Sequence, residues 1–197
     1  MEIVIATRNA HKLEEIRAVL GLRNARSALD FPELPEVEED GETLEANAVK
    51  KAVETARATG CWALADDSGL EVDALGGAPG VYSARWAGAG CSYADNNAKL
   101  LRELEGATNR RARFRTVIAL SDPAGVQVRV VEGVCEGRII DAPRGKHGFG
   151  YDPLFVPEGY EQTFAELPPE VKNRISHRAR ALDRAAREWK ELFEANA

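Results

Sequence analysis

No apolar run in this 197-residue chain approaches the roughly 20 residues that a membrane-spanning helix needs. The first residues, MEIVIATRN, are acidic and short; they read as a first strand rather than a secretory signal. No lipidation or retention motif is visible. Cysteine is scarce: Cys61, Cys91 and Cys135 make an odd number with no CxxC pair, which suggests neither a disulfide framework nor a zinc cage. Cys61 and Cys135 lie in strand-like apolar runs and read as core thiols, which suits a reducing cytosol. His11, His147 and His177 lack ligand-like spacing, so zinc is not expected, whereas carboxylates are plentiful and suit magnesium. Excess positive charge is missing too. A net charge of −6 argues against a nonspecific nucleic-acid binder but leaves room for a small polyanion in a local basic pocket. Internal repeats and low-complexity segments are also lacking.

What is present is enough for a sizeable core: 44% of residues are hydrophobic, and the length favours one domain over residues 1–197, with room for two lobes. Glu2 to Ala6 reads as a strand, and HKLEEIRAVLG as a helix with Leu13, Ile16 and Leu20 on one face and Gly21 as its stop. A second helix is expected from about Thr43 to Thr59, burying Leu44, Ala48, Ala52 and Ala56, with Gly60 just past its end. Trp62 to Ala65 reads as a buried strand ending at Asp66-Asp67, and GGAPG as a turn. DNNAKLLRELEG reads as a short helix capped by Asp95 and ended by Gly106. ARFRTVIALSD and VQVRVVEGVCEG are strand candidates joined at DPAG, with Val126, Val128 and Val130 alternating as a half-buried strand should. A Gly/Pro-rich loop leads into a strand at Leu154 to Val156. The C-terminal stretch is helical, with Val171, Ile175, Leu182, Ala185, Trp189 and Leu192 at helical spacing and Ser176 placed to cap a fresh helix. Strands and helices so mixed give an α/β class: a mixed sheet with flanking helices.

Five stretches could carry chemistry. In ATRNAHK, a strand-to-helix junction offers backbone N–H groups to an anion, with Thr7, Asn9 and Lys12 adding contacts; an ordinary helix cap is the alternative. The GxxxxGK[ST] glycines of a Walker loop are missing. In VEEDGETLEANAVKKA, Glu38, Glu39 and Asp40 either favour the positive end of a helix or complete a metal site, and Lys51 faces either a phosphate or water. Asp66 and Asp67 either cap the following turn or form a site for magnesium and water activation, because buried charge must be paired or hold a metal. Ser68-Gly69 would let the backbone approach a ligand closely. GFGYDP offers an aromatic face to a base, or tucks its aromatics into the core. Lys172, His177 and Arg178 cluster donors near a helix start, or make a solvated helix face.

Together, TRNAHK, EEDGETLEANAVKKA, LADDSGLEVDALGGAPGVYSAR, FGYDPLF and KNRISHRARAL occur in the order found in the inosine triphosphate pyrophosphatase family, the XTP/dITP diphosphatases, which this chain resembles from Thr7 to Leu182. The resemblance implies an elongated α/β fold with a cleft between two lobes, and commonly a homodimer. It implies magnesium-dependent hydrolysis of deaminated purine nucleoside triphosphates (ITP, dITP, XTP) to the monophosphate and pyrophosphate; because only oxygen ligands are on offer, manganese is an expected substitute. Nucleic acid and membrane are not expected partners. Thr7, Arg8, Asn9, Ala10, His11 and Lys12 match the family's triphosphate loop. Asp67 matches the catalytic acid and a metal ligand, Glu39 a second metal carboxylate, Lys51 a phosphate-side lysine and Ser68 a substrate contact. Phe149, Gly150, Tyr151 and Asp152 match the base loop, with Lys172, His177 and Arg178 completing the base pocket.

The implied chemistry is physically coherent. A metal lowers the pKa of a bound water and screens phosphate charge, while lysines stabilise the charge that develops. A 6-oxo purine presents an acceptor where adenine presents a donor, so cationic donors favour the former. Two rivals are a Maf-like pyrophosphatase acting on other modified nucleotides and a nucleotide-binding sensor without turnover. The FGYDP and SHR elements disfavour the first; the paired acids disfavour the second.

Overall fold

A computed structural model describes residues 2–22 and 25–194 of the chain. β1 (Ile3–Ile5) is buried at every position and pairs in parallel with both β2 (Arg26–Ser27) and β3 (Trp62–Val72). Between β1 and β2 lies α1 (Ala10–Leu20); Asn9 starts it by accepting from the His11 and Lys12 amides. Its core side consists of Leu13 and Ile16, with Leu20 only half-buried. α2 (Leu44–Thr59) starts where the Thr43 hydroxyl accepts from the Ala46 amide. It stops at Gly60, whose φ of 67° is the left-handed conformation a glycine adopts at least cost. Leu44, Ala48, Ala52 and Ala56 are buried as expected, and Asn47, Lys51 and Thr55 are buried beside them.

β3 departs from expectation. It does not end at the Asp pair but runs through it for another five residues, to Val72. The carboxylates looked like a terminus because a charged pair inside a strand is costly; cations supplied by distant parts of the chain make it tolerable. α3 (Tyr93–Glu103) is capped by Ser92, not Asp95. Asp95 occupies the third helical position and accepts from the Ser92 amide, completing a capping box.

β4 (Arg111–Ser121) and β5 (Val128–Ile139) form the expected hairpin, closed by Asp122, whose carboxylate accepts from the Val126 and Gln127 amides. The phase of β5 is the opposite of that expected. Val126 is in the loop and 78% exposed, Val130 is exposed, and Val131, Gly133 and Cys135 face inward. β6 (Phe155–Pro157) pairs antiparallel with β5, completing one mixed sheet in the order β2-β1-β3-β4-β5-β6. The C-terminal stretch divides into α4 (Pro169–Ile175), α5 (His177–Glu188) and α6 (Lys190–Glu194), broken at the extended Ser176. Cys135 is a core thiol, but Cys61 is only half-buried, just ahead of β3.

Two compact units result. The first takes residues up to Asp67, Thr116–Gly133 and the chain from Arg178 onward. Its core gathers Ile3, Ile5, Leu64, Ile118, Leu182 and Trp189. The second takes Ser68–Arg115 and Val134–His177, around Leu70, Leu100, Phe114, Phe155 and Phe164.

Candidate active site

Successive residues of a strand point to opposite faces. Asp66 and Asp67 therefore meet different partners within the first unit. Asp66 Oδ2 lies 3.1 Å from Lys12 Nζ and 3.1 Å from Arg178 Nε. Arg178, 1% exposed, also donates to Glu15 on α1. Burial alone would push the Asp66 carboxyl up, but Lys12, Arg178 and Lys51 together hold it well below the usual carboxylate range.

Asp67 Oδ1 lies 3.5 Å from Lys51 Nζ, and Oδ2 accepts from Asn47 Nδ2 at 3.1 Å. Lys51 also donates to Glu39 and, at 2.7 Å, to the Asp66 carbonyl. Here burial wins. It pushes the Asp67 carboxyl up against the pull of Lys51 and Lys12, and the Glu39 charge adds to the rise. Burial lowers the Lys51 ammonium, yet Asp67, Glu39 and Asp66 raise it overall. Glu39 and Asp67 thus both reach the Lys51 ammonium.

That convergence fits a metal. Two carboxylates and a carbonyl converge on one cationic group, all as hard oxygen donors, which is the set magnesium prefers. No group of three or more His, Cys, Asp or Glu side chains disposed to hold a metal occurs among the described residues. The protein would thus supply two carboxylates, and water and phosphate oxygens the remainder, as is usual for this ion.

The residues expected to form a triphosphate loop sit where β1 passes into α1. Thr7 is buried and its hydroxyl accepts from the Asn9 amide, while the Asn9 side chain occupies the His11 and Lys12 amides. Two of the helix-start N–H groups expected to greet an anion are thus already capped. Arg8, Ala10 and His11 are exposed, and Arg8 donates to the Leu34 carbonyl. Lys12 keeps part of its side chain in solvent beside Asp66. The acids ahead of α2 pair with successive lysines, Asp40 with Lys50 and Glu39 with Lys51, while Glu38 is exposed.

The remaining residues lie in the second unit, where Ser68 continues β3 half-buried. Asp152 Oδ2 accepts from Lys172 Nζ at 2.6 Å and from the Phe149 amide at 2.8 Å. The Lys172 ammonium lies 4.8 Å from the centre of the half-buried Phe149 ring. His177 is buried and stacks on Phe114 at 4.6 Å between centroids. Asn97 Nδ2 donates to the Gly150 carbonyl. Tyr151 took the other alternative. It packs in the core and its hydroxyl donates to the Ser83 carbonyl, whereas the Phe149 ring lies beside Tyr93, 6.1 Å between centroids. Lys172, His177 and Arg178 are buried rather than solvated.

Sequence reading did not single out Asn47, Glu15, Ser83 or Phe114. Asn47 stands one helical turn before Lys51, a spacing that puts both on one face. Glu15 stands three residues after Lys12 on α1. Nothing in the sequence tied Glu15 to Arg178, 163 residues away.

The Ham1 family model matches residues 3–188. A protein of Geobacter sulfurreducens named dITP/XTP pyrophosphatase is 56% identical over 91% of this chain and 92% of its own length. One of Desulforamulus reducens with the same name is 53% identical over 94% of each. The solved structure of a HAM1 protein from Coxiella burnetii superposes with a TM-score of 0.88 at 42% identity, covering 97% of this chain and 99% of that one.

Proposed function

The chain belongs to the Ham1 family, and on that premise we propose that it hydrolyses non-standard purine nucleoside triphosphates (ITP, dITP and XTP) to the monophosphate and pyrophosphate. The observation that carries the reading is the convergence of Glu39 and Asp67 on the buried Lys51 ammonium. We assign these carboxylates to Mg²⁺, with Mn²⁺ as a substitute; when bound, the ion would lower the pKa of a water and screen phosphate charge. Asp67 is the carboxylate that would take the proton of the attacking water. Lys12 and Lys51 stabilise phosphate charge, with Thr7 to His11 lining the same loop. Asp66, held ionised, fixes Lys12 and Arg178 rather than exchanging protons.

Base recognition is assigned to Phe149, Lys172 and His177, with Gly150 and Asp152 shaping the loop. Arg178 is the further member that the resemblance supplies, although its guanidinium here serves Asp66 and Glu15. Donors facing a 6-oxo group would pair with hypoxanthine and oppose adenine, a mismatch that rejects strongly when buried. Maf-like and sensor readings are not favoured, since the named relatives are dITP/XTP pyrophosphatases over most of the chain. A homodimer and a cytoplasmic location complete the proposal. The first rests on the resemblance and is checked by sedimentation; the second rests on the cysteine usage. No helix among the described residues is long and apolar enough to cross a membrane.

The test is pyrophosphate release from ITP, dITP, XTP and ATP with and without magnesium. The first three are cleaved, ATP poorly, and chelation stops the reaction. Asp67→Asn loses about 10²-fold or more in kcat with the fold kept. Full activity after exhaustive chelation, or more than half of the wild-type kcat in Asp67→Asn, overturns the assignment.

A further inference from the structure

Asn47 is 1% exposed, and both ends of its amide are engaged. The Gly41 backbone N–H donates to Oδ1 at 2.8 Å. A flipped amide would set donor against donor there, so the contact fixes which end is nitrogen. Nδ2 therefore faces Asp67 and donates to its Oδ2 at 3.1 Å. The other Asp67 oxygen, Oδ1, is the one turned toward the Lys51 ammonium that Glu39 also reaches.

Gly41 stands two residues after Glu39, so the same amide ties down the segment bearing the second carboxylate. The approach is tight. A Cβ on Gly41 would lie 2.6 Å from Asn47 Oδ1 and 2.9 Å from the Ala46 Cβ. Only glycine lets this loop close on the helix.

We propose that Asn47 is the positioning residue of the metal site: one buried amide presents the Glu39 and Asp67 oxygens together to a single divalent ion. The inference rests on the reading of Glu39 and Asp67 as the metal pair. A merely structural asparagine would affect the melting temperature and leave the affinity of the folded protein for the ion unchanged.

The experiment is titration of Mn²⁺ alone into the full chain without nucleotide, followed by the paramagnetic resonance of the free ion. Wild type is compared with Glu39→Gln, Asp67→Asn, Asn47→Ala and Gly41→Ala, each held below its thermal transition. Glu39→Gln and Asp67→Asn should lose the site. Asn47→Ala and Gly41→Ala should each weaken Mn²⁺ by about 10–100-fold, the usual cost of removing a group that orients a ligand. Their double variant should be little weaker than either alone, because both break one hydrogen-bonded unit. Binding of inorganic tripolyphosphate under chelation should be unchanged in both. Should Asn47→Ala fail to fold, Gly41→Ala decides the matter, because it breaks the same contact without removing the Asn47 amide or either carboxylate from the chain. Wild-type Mn²⁺ affinity in these two variants, with the site lost in Glu39→Gln and Asp67→Asn, overturns the positioning role and leaves the metal pair standing. Wild-type affinity in all four overturns both.

Discussion

At Gly148 the backbone has φ 72°, and a Cβ would come within 2.0 Å of Asp152 Oδ2. That oxygen is the one accepting from both the Phe149 amide and the Lys172 ammonium. A single added methyl group would thus displace the carboxylate that holds the Phe149 amide and pull it from Lys172, 4% exposed, its ion partner. The left-handed backbone costs about 1–2 kcal/mol in an alanine. Breaking a buried ion pair costs about 3–5 kcal/mol when complete. Gly148→Ala should therefore lower the unfolding free energy by about 2 kcal/mol or more, measured by urea denaturation. A loss under about 0.5 kcal/mol, the range of an ordinary surface change, would show that the loop relaxes around the methyl.

Among the elements, α2 brings Asn47 and Lys51 to one buried face. Its first turn is held by the Thr43 cap, so Thr43→Ala should cost about 1 kcal/mol of stability in thermal or urea unfolding. A cost near zero would mean that packing of the alanine stripe alone fixes the helix start. This helix was legible in the sequence at both ends because cap, stripe and terminal glycine all agreed. β3 was not, because its continuation depends on Lys12, Lys51 and Arg178, and Arg178 lies 112 residues from Asp66. No local pattern records that neutralisation. β5 was legible as a strand but not in phase. Val130 and Val131 adjoin, so either alternating set reads as apolar, and only packing against the core chooses between them. The site divides the same way. Glu39, Lys51 and Asp67 stood out through their motifs. Asn47 lay inside a quoted motif unremarked, since an amide in a helix carries no charge to draw attention. The burial of Arg178 was invisible in a run of arginines that reads as a solvated face.

Across the whole molecule, a net charge of −6 coexists with ionised groups inside the first unit, and this sets how stability should answer to acid. The Asp66 carboxyl is buried, yet Lys12, Arg178 and Lys51 hold it below its ordinary value. A depressed carboxyl contributes stability that is complete above the unfolded value, about 3.9, and is lost as pH falls toward the folded one. Asp67 has the opposite sign. Burial raises it, so its protonation in mild acid favours the folded state and offsets early losses. Asp30, Asp40, Asp95 and Asp122 are depressed as well, through hydrogen bonds at the surface, and add to the loss at low pH. Urea midpoints should therefore change little between neutrality and about pH 5, then fall below about pH 4. Asp66→Asn separates the buried contribution from the surface ones. It should be less stable than wild type at pH 7, because Arg178 and Lys12 lose their charged partner. Below about pH 4 its slope should be shallower by up to about 1.4 kcal/mol per pH unit, the limit for one proton. Parallel slopes for the two proteins would place the acid sensitivity in the surface carboxylates and remove Asp66 from the account.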